Sequence, residues 1–320
     1  MDKKDIKILS ELEQNSRISI NQLAKRVGVS KEVALYRVKR LTKERIIFEF
    51  YTKINTEALG FSRYGCFLQL KNINNEKETQ FLNYLINNNF VTYLGPIIGK
   101  WNFVFDIFAK DRNQLEFIIK DITKKASKHI ESLIIINSSA EHESFPLKIL
   151  GISKETSIKD KSELKIKLDK TDLKILELLS NNSRIEYKEL SRRLNLTGNA
   201  IKYRIKNLEK TGIIQGYSIS IDIKKLGFEW HNIQIKLTKN EKEGSLKEFL
   251  RNNLNVIYFY NYLGNENWDM DIGVVVKNSL DLRNFIIKLK ENFGDIIKIH
   301  DIYSIIDINK GNITPKGIFN

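Results

Sequence analysis

The sequence predicts an α+β fold that is written twice along the chain. Three observations carry that reading. First, residues 1–61 align without a gap onto residues 168–228, an offset of 167 positions, with 24 identities. Self-similarity of that length marks a duplicated structural unit. Second, each copy opens with apolar residues at helical spacing and continues as strand-like and helical runs in the order βαββαβ. Third, 53 Lys and Arg against 39 Asp and Glu leave a net charge of +14 over 320 residues. That balance points to a polyanionic partner, nucleic acid first and an anionic membrane surface second. A composition heavy in Ile, Asn and Lys accounts for part of the charge as ordinary solvated surface. Apolar residues make up 42% of the chain and charged residues 29%, enough for packed cores. The single cysteine, Cys66, excludes an internal disulfide framework and a multi-cysteine zinc module. The opening Met-Asp-Lys-Lys-Asp lacks the apolar run of a signal peptide. No window approaches the roughly 20 apolar residues of a membrane span, so a cytoplasmic protein without membrane association is expected.

The elements follow in order. Ile6, Leu9 and Leu12 fall at spacing three, and Ile8 and Leu12 at spacing four, on one face of a helix over Asp2–Glu13. Asp2 caps that helix, and Asp5 suits its first turn. Ser19 caps a short second helix, with Gln22 three residues on completing a capping box. Leu23, Ala24 and Val27 give it an apolar face, and Gly28 ends it. Ser30 caps a third helix over Lys31–Glu44, whose inward side is Ala34, Val38 and Leu41. Two short helices across a tight glycine turn form a helix-turn-helix pattern. Copy two repeats it with Leu190, Ser191 and Leu194, then Thr197 capping Gly198–Lys210, with Ile201, Ile205 and Leu208 inward. Asn195 replaces the turn glycine, and Asn tolerates the left-handed conformation next best. Alternating runs Ile46–Ile54 and Ile213–Ile223 follow each third helix, where a strand pair would form a wing.

The outward face of the third helix carries the functional signal. Copy one offers Lys31, Leu35, Tyr36, Arg37, Lys39, Arg40 and Lys43; copy two offers Asn199, Lys202, Tyr203, Arg204, Lys206, Asn207 and Lys210. Arg and Lys neutralise phosphates, and Arg, Asn and Lys bond base edges in the major groove. The bland alternative is a solvated basic helix face. The candidate DNA-binding residues are Lys31, Tyr36, Arg37, Lys39 and Arg40 with Asn199, Lys202, Tyr203, Arg204 and Lys206, and the partner is double-stranded DNA. Arg37 or Arg204 is expected to matter more for affinity than Lys165 in the linker.

The rest of each copy reads as βαββαβ. Copy one gives Tyr64–Leu70, Glu76–Asn88, Phe90–Ile97, Trp101–Ala109, Asn113–Ala126 and Ile130–Ile136. Copy two gives Ile233–Leu237, Leu246–Asn252, Val256–Leu263, Met270–Val276, Ser279–Asn292 and Ile296–Ile306. That order makes a sheet with helices on one face.

These residues resemble the Lrp/AsnC family of transcriptional regulators. The resemblance rests on Asp2-x-x-Asp5-x-x-Ile8-Leu9, Ser16-Arg17-Ile18-Ser19, Leu23 through Ser30, and Arg37-Val38-Lys39-Arg40-Leu41. In copy two it rests on Gly212-Ile213-Ile214-x-Gly216-Tyr217 and Leu226-Gly227. It implies a winged helix-turn-helix (1–60, and 168–228 in copy two). A ferredoxin-like effector and dimerisation domain would follow each (61–147 and 229–320), with a linker at 148–167. It also implies a small effector, often an amino acid, near the turn between the second and third strands of the α/β domain. Those turns hold Gly99, Lys100 and Trp101 in copy one and Gly264, Trp268 and Asp269 in copy two. Lys100 would pair with a carboxylate and Asp269 would hold an ammonium. The competing reading is a tight hairpin with a core tryptophan. Family members pair two chains, whereas here both units lie on one polypeptide. An intrachain pseudo-dimer is therefore expected, with recognition helices roughly 34 Å apart. Further homo-oligomerisation stays open.

The two copies depart from each other. Arg45 stands where copy two has the helix-ending Gly212, Glu49 stands where copy two has Gly216, and Gly198 weakens the start of the second recognition helix. An acidic Glu49 in a wing would repel phosphate. The two readers are not equivalent, so the operator is expected to be an imperfect palindrome or a pair of unlike half-sites.

No catalytic, metal or cofactor site is expected. Gly95-Pro-Ile-Ile-Gly99-Lys100 has one residue too few for a phosphate loop, and Trp101 stands where Ser or Thr would be. His129, His142, His231 and His300 show no ligand spacing, and Glu141-His142-Glu143 alternates faces on an extended chain. Cys66 reads as a buried packing residue. The enzyme alternative is a siroheme decarboxylase, a group that resembles this family and also occurs as two fused units. That likeness would imply His and Arg around the second and third strands, and Phe90–Phe105 and Val256–Val275 contain neither.

Overall fold

A computed structural model describes residues 1–137, 142–144, 147–151, 168–238, 241–262, 266–309 and 314–319. Of the expected linker 148–167, residues 152–167 lie outside the described residues, as do Lys165, Glu141 and Gly264, and the side chains of His142 and Glu143. Copy one runs α1 (Lys3–Gln14), α2 (Ile20–Val27), α3 (Lys31–Lys43) and β1 (Ile47–Ile54). It continues through β2 (Ser62–Leu70), α4 (Asn75–Asn87), β3 (Val91–Ile98), β4 (Phe103–Ala109), α5 (Arg112–Ala126), β5 (Ile130–Asn137) and β6 (His142–Ser144). Copy two runs α6 (Lys170–Asn181), α7 (Tyr187–Leu194), α8 (Gly198–Lys210) and β7 (Ile214–Ile221). Then come β8 (Glu229–Leu237), α9 (Glu243–Asn252), β9 (Val256–Asn261), β10 (Met270–Val276), α10 (Ser279–Phe293) and β11 (Ile297–Ile305).

Local chemistry sets the helix ends. The Asp2 carboxylate accepts from the Lys4 and Asp5 backbone N–H groups, and the Asp5 side chain accepts from the Asp2 N–H. Asp169 and Asp172 repeat this reciprocal box. Gly28 and Asn195 both end their helices in the left-handed region, at φ +73° and +51°. Arg45 also takes that region, at φ +57°, in the position Gly212 occupies at +74°. The glycine preference met only in copy two is thus overridden in copy one. The Arg45 guanidinium lies 5.1 Å from the Phe48 ring centroid.

Each three-helix unit is completed by the other copy. Ile8, Leu9 and Leu12 of α1 pack with Leu23, Val27, Val38 and Leu41, and Ile219 of β7 joins them. Ile175, Leu176 and Leu179 of α6 pack with Leu190, Ile201, Ile205 and Leu208, and Ile54 and Phe61 of copy one join those. The strand that follows each third helix therefore finds its partner across the repeat. β1 and β7 form one antiparallel two-stranded ribbon in which Tyr51 pairs with Ser218. These two positions differ by 167, so they are equivalents and lie on an approximate two-fold axis. Ser16 and Ser183, also equivalents, hydrogen bond at 2.5 Å. Arg17 donates to the Ser183 carbonyl and Arg184 to the Ser16 carbonyl, each at 2.5 Å. Glu49 is drawn into this ribbon opposite Ser220, half-buried rather than held out as a wing tip.

The two α/β sheets each follow the order fourth, first, third, second strand, and they join edge to edge. The order is β5-β2-β4-β3 for copy one and β11-β8-β10-β9 for copy two, joined through β3 to β11, with β6 added beyond β9. Strand alternation sorts the residues. Cys66, Leu68, Phe103, Phe105 and Ile107 face the helices of copy one. Ile233, Ile235, Met270, Ile272 and Val274 face those of copy two. The opposite faces meet each other through Phe67, Trp101, Val104, Trp268 and Tyr303. Segments after β6 and β11 strap the layers together. Leu147 enters the first helical core, and the buried Lys148 ammonium donates to the Leu250 carbonyl at 3.0 Å. Ile318 and Phe319 enter the second helical core, while the Gly317 N–H donates to the Asn89 carbonyl at 2.9 Å.

Candidate nucleic-acid interface

Helices α3 and α8 each bury one apolar stripe and turn a polar face outward. Lys31, Tyr36 and Lys39 are exposed on α3, and Asn199, Lys202, Tyr203 and Lys206 on α8. Tyr36 is 65% exposed and Tyr203 73%. Large rings left in water at equivalent positions on both helices suit contact with a partner, because burial would otherwise stabilise each by about 1.5–3 kcal/mol. Lys39, Lys202 and Lys206 make no ion pair among the described residues.

The arginines expected to contact DNA are engaged in ion pairs within the protein. Arg37 is half-buried and donates to Asp2 at 2.8 Å and Asp5 at 2.8 Å. Arg40 donates to Asp5 at 2.6 Å. In copy two, Arg204 donates to Asp169 at 2.7 Å and Asp172 at 2.8 Å. Acidic residues are held at the start of α1 and α6 by capping and by the helix dipole. The first arginine of each recognition helix is drawn back onto them. The Asp5 N–H and then Arg37 hold the Asp2 carboxyl down at about 2. Burial pushes Asp5 up, but the Asp2 N–H with Arg37 and Arg40 outweighs it and leaves Asp5 below the usual range. These ion pairs tie α3 to the start of α1 and α8 to the start of α6, and exposed Lys, Asn and Tyr residues form the open surface.

The residues of the expected effector turns are packed. Gly99 has φ +152°, and a Cβ there would come within 3.0 Å of Tyr303 Cβ, so the strand contact itself requires glycine. The Lys100 ammonium lies 4.8 Å from the Trp101 ring centroid. Trp101 and Trp268 are buried, and Trp268 packs edge-on against Phe67 at 5.2 Å. The Asp269 carboxylate, expected to hold an ammonium from outside, accepts instead from Lys236 at 2.8 Å and from the Leu237 N–H at 2.7 Å. Yet, among the described residues, the buried indole N–H groups of Trp101 and Trp268 find no hydrogen-bond partner, and that of Trp230 finds none either.

Two polar clusters between the sheets, around the buried Asp106 and Asp271, escaped sequence reasoning. Arg63 donates to Asp106 at 2.7 Å and lies 5.1 Å from the Tyr260 ring centroid. Asp271 accepts from Asn232 at 2.5 Å and from Tyr303 at 2.8 Å, and burial pushes its carboxyl up to about 6. A charged residue at an inward-alternating strand position was the available signal. Elsewhere, a hollow of about 480 Å³ between α4 and α5 is lined by Lys77, Tyr84, Lys125, Lys128 and His129 among others. Lys125 sits in the last turn of α5 and Lys128 just beyond it, where cations offset the helix dipole. Cys66 is buried in the sheet, and among the described residues no helix is long and apolar enough to cross a membrane.

Comparison with known proteins follows the same division. A winged helix-turn-helix DNA-binding family model matches residues 1–47 and 168–215. The HTH-type transcriptional regulator LrpC of Bacillus subtilis is 30% identical over 146 residues, which is 46% of this chain and 99% of LrpC. LrpB of the same organism is 43% identical over 65 residues, 20% of this chain and 44% of LrpB, so there the chain spans less than half of the relative. The siroheme decarboxylase NirDL superposes with a TM-score of 0.68 at 12% identity, covering 98% of this chain and 94% of NirDL. At that identity the likeness is one of fold.

Proposed function

This chain belongs to the Lrp/AsnC family of DNA-binding transcriptional regulators, and on that premise we propose that it binds DNA sequence-specifically as an intrachain pair. One observation carries the proposal. Two exposed polar helix faces, each led by a solvent-held tyrosine, sit on halves related by the axis through Tyr51/Ser218 and Ser16/Ser183. Two such helices enter successive major grooves about one helical turn apart. Lys31, Tyr36 and Lys39 with Asn199, Lys202, Tyr203 and Lys206 form the contact surface, while Arg37, Arg40 and Arg204 position it. Binding measured by fluorescence anisotropy on the protein's own promoter region tests this. Lys39→Ala should weaken binding, lower the salt dependence by about one counterion and leave stability unchanged. Arg37→Ala should lower stability as well, because it removes one of the two arginines on the buried Asp5 and the partner of Asp2. If Lys39→Ala and Lys206→Ala both bind as the parent does, the surface is misassigned.

An effector is supported by the two orphaned indole donors at equivalent turns, Trp101 and Trp268. A carboxylate such as that of an amino acid would satisfy them once the turn opens. Tryptophan fluorescence titrated with the twenty amino acids, alongside operator affinity, checks it. A second reading, a siroheme decarboxylase, draws on the fold match to NirDL. Against it, β3, β4, β9 and β10 carry no His or Arg, and Phe67, Trp101, Trp268 and Tyr303 fill the space between the sheets. Incubation with siroheme, followed for loss of carboxyl groups, separates the two readings.

A further inference from the structure

Helices α3 and α8 are alike where they meet the rest of the protein and unlike where they meet solvent. Toward the core, Ala34, Val38 and Leu41 correspond to Ile201, Ile205 and Leu208, all buried and apolar. Arg37 and Arg204 grip corresponding aspartates. On the open face, Tyr36 and Lys39 recur as Tyr203 and Lys206, but three exposed positions near the helix starts differ in chemistry. Lys31 faces Gly198 in the alignment, Glu32 faces Asn199, and Leu35 faces Lys202. All three lie in the first two turns of their helices.

A recognition helix of this type touches base edges with its N-terminal residues, whereas phosphate contacts fix the register without reading sequence. The shared Tyr and Lys pairs then supply common docking, and the three unlike positions supply base choice. We propose that the chain reads two unlike half-sites, copy one selecting through Glu32 and Leu35 and copy two through Asn199 and Lys202. The inference rests on the DNA-binding reading above.

The side chains set the preference. Leu35 offers only an apolar tip, which suits the methyl group of thymine, and Glu32 can only accept, which suits the cytosine amine. Asn199 matches the donor and acceptor edge of adenine, and Lys202 donates to the two acceptors of guanine. Copy one therefore favours pyrimidines on the contacted strand where copy two favours purines. Glu32 also rejects: set against a guanine edge it opposes acceptor with acceptors, so the discrimination is repulsive as well as attractive.

Selection of bound sequences from a random duplex library, with the full chain at two salt concentrations, tests this. The expected motif has two unlike half-sites about one helical turn apart. The double variant E32N/L35K should convert one half-site to the purine-rich type and leave the other unchanged, with preference for the new site over the old shifting by roughly tenfold or more. The reciprocal variant N199E/K202L should convert the other half. All four side chains are exposed, and a thermal melt checks that the variants fold; if they do not, the parent motif alone decides. A symmetric palindrome selected by the parent overturns this inference and leaves the DNA-binding reading standing. Variants that fold but select the parent motif also overturn it. Absence of any salt-dependent binding overturns both.

Discussion

The helix-turn-helix pair and the sheet pair belong to the same repeat of 167 residues, yet their copies differ in different ways. Around the helices, like residues meet across the axis at Ser16 and Ser183, and Arg17 and Arg184 make matching bonds to the opposite carbonyls, although Tyr51 meets Ser218 in the ribbon. Between the sheets, equivalent positions hold unlike groups. Arg63 corresponds to Trp230, Asp106 to Gly273 and Val104 to Asp271 at the same offset of 167. On the proposed reading, a pair that presents two helices to one regular duplex keeps the symmetry of its framework. A buried interface has only to fill space and satisfy each polar group, so its polar partners can move from one copy to the other.

Breaking the sheet interface should give the largest effect. Arg63→Ala leaves Asp106 buried and unpaired, and the expected loss is about 3 kcal/mol in denaturant unfolding. Replacing both partners by apolar residues of similar volume should restore much of that. Full stability in the single variant would remove the ion pair from the account. The ribbon gives a smaller, pH-dependent effect. Burial pushes the Glu49 carboxyl up to about 7, and its Oε2 has no hydrogen-bond partner. Its folded pKa is above the unfolded one, so the fold binds this proton more tightly. The contribution is full below about pH 4 and is lost as pH rises through 7. Glu49→Gln should therefore stabilise by about 1–2 kcal/mol at pH 8 and by nothing measurable at pH 4. An equal gain at both pH values would contradict that.

The arginine clamps have the opposite sign. Asp2 and Asp5 lie below their usual pKa, so their contribution is present above about pH 4 and fades as pH falls toward 2. The smallest effect concerns the turn after α3. Arg45→Gly relieves a left-handed residue and should stabilise by about 0.5–1 kcal/mol, less whatever the Phe48 contact supplies. The same left-handed turn in copy two, Gly212→Ala, should destabilise by a similar amount. Together the two variants show whether the helical units remain interchangeable.

The helices were legible because 3.6-residue periodicity and capping pairs are local. Ile8, Leu9 and Leu12, for instance, state their own face. The choice of partner for β1 was not legible. An alternating run pairs as well within its copy as across the repeat, and only the axis decides. The ion pairs of Arg37 were hidden for a related reason. Its basic character was visible, but Asp2 and Asp5 lie more than 30 residues away in the chain. Asp2, Asp5 and Arg37 all recur at the offset of 167, a hint that they act together. The turn at Trp101 was half legible: glycine suggested close approach, and Tyr303 of the other copy does approach it closely.

The central claim is that one chain presents two DNA-reading helices as a fixed pair. Hydroxyl-radical footprinting with native mass measurement of the same complex tests it most directly. One chain per duplex, protecting two half-sites about one helical turn apart, is the predicted result. One chain protecting a single half-site, with a second chain needed for the other, would contradict it.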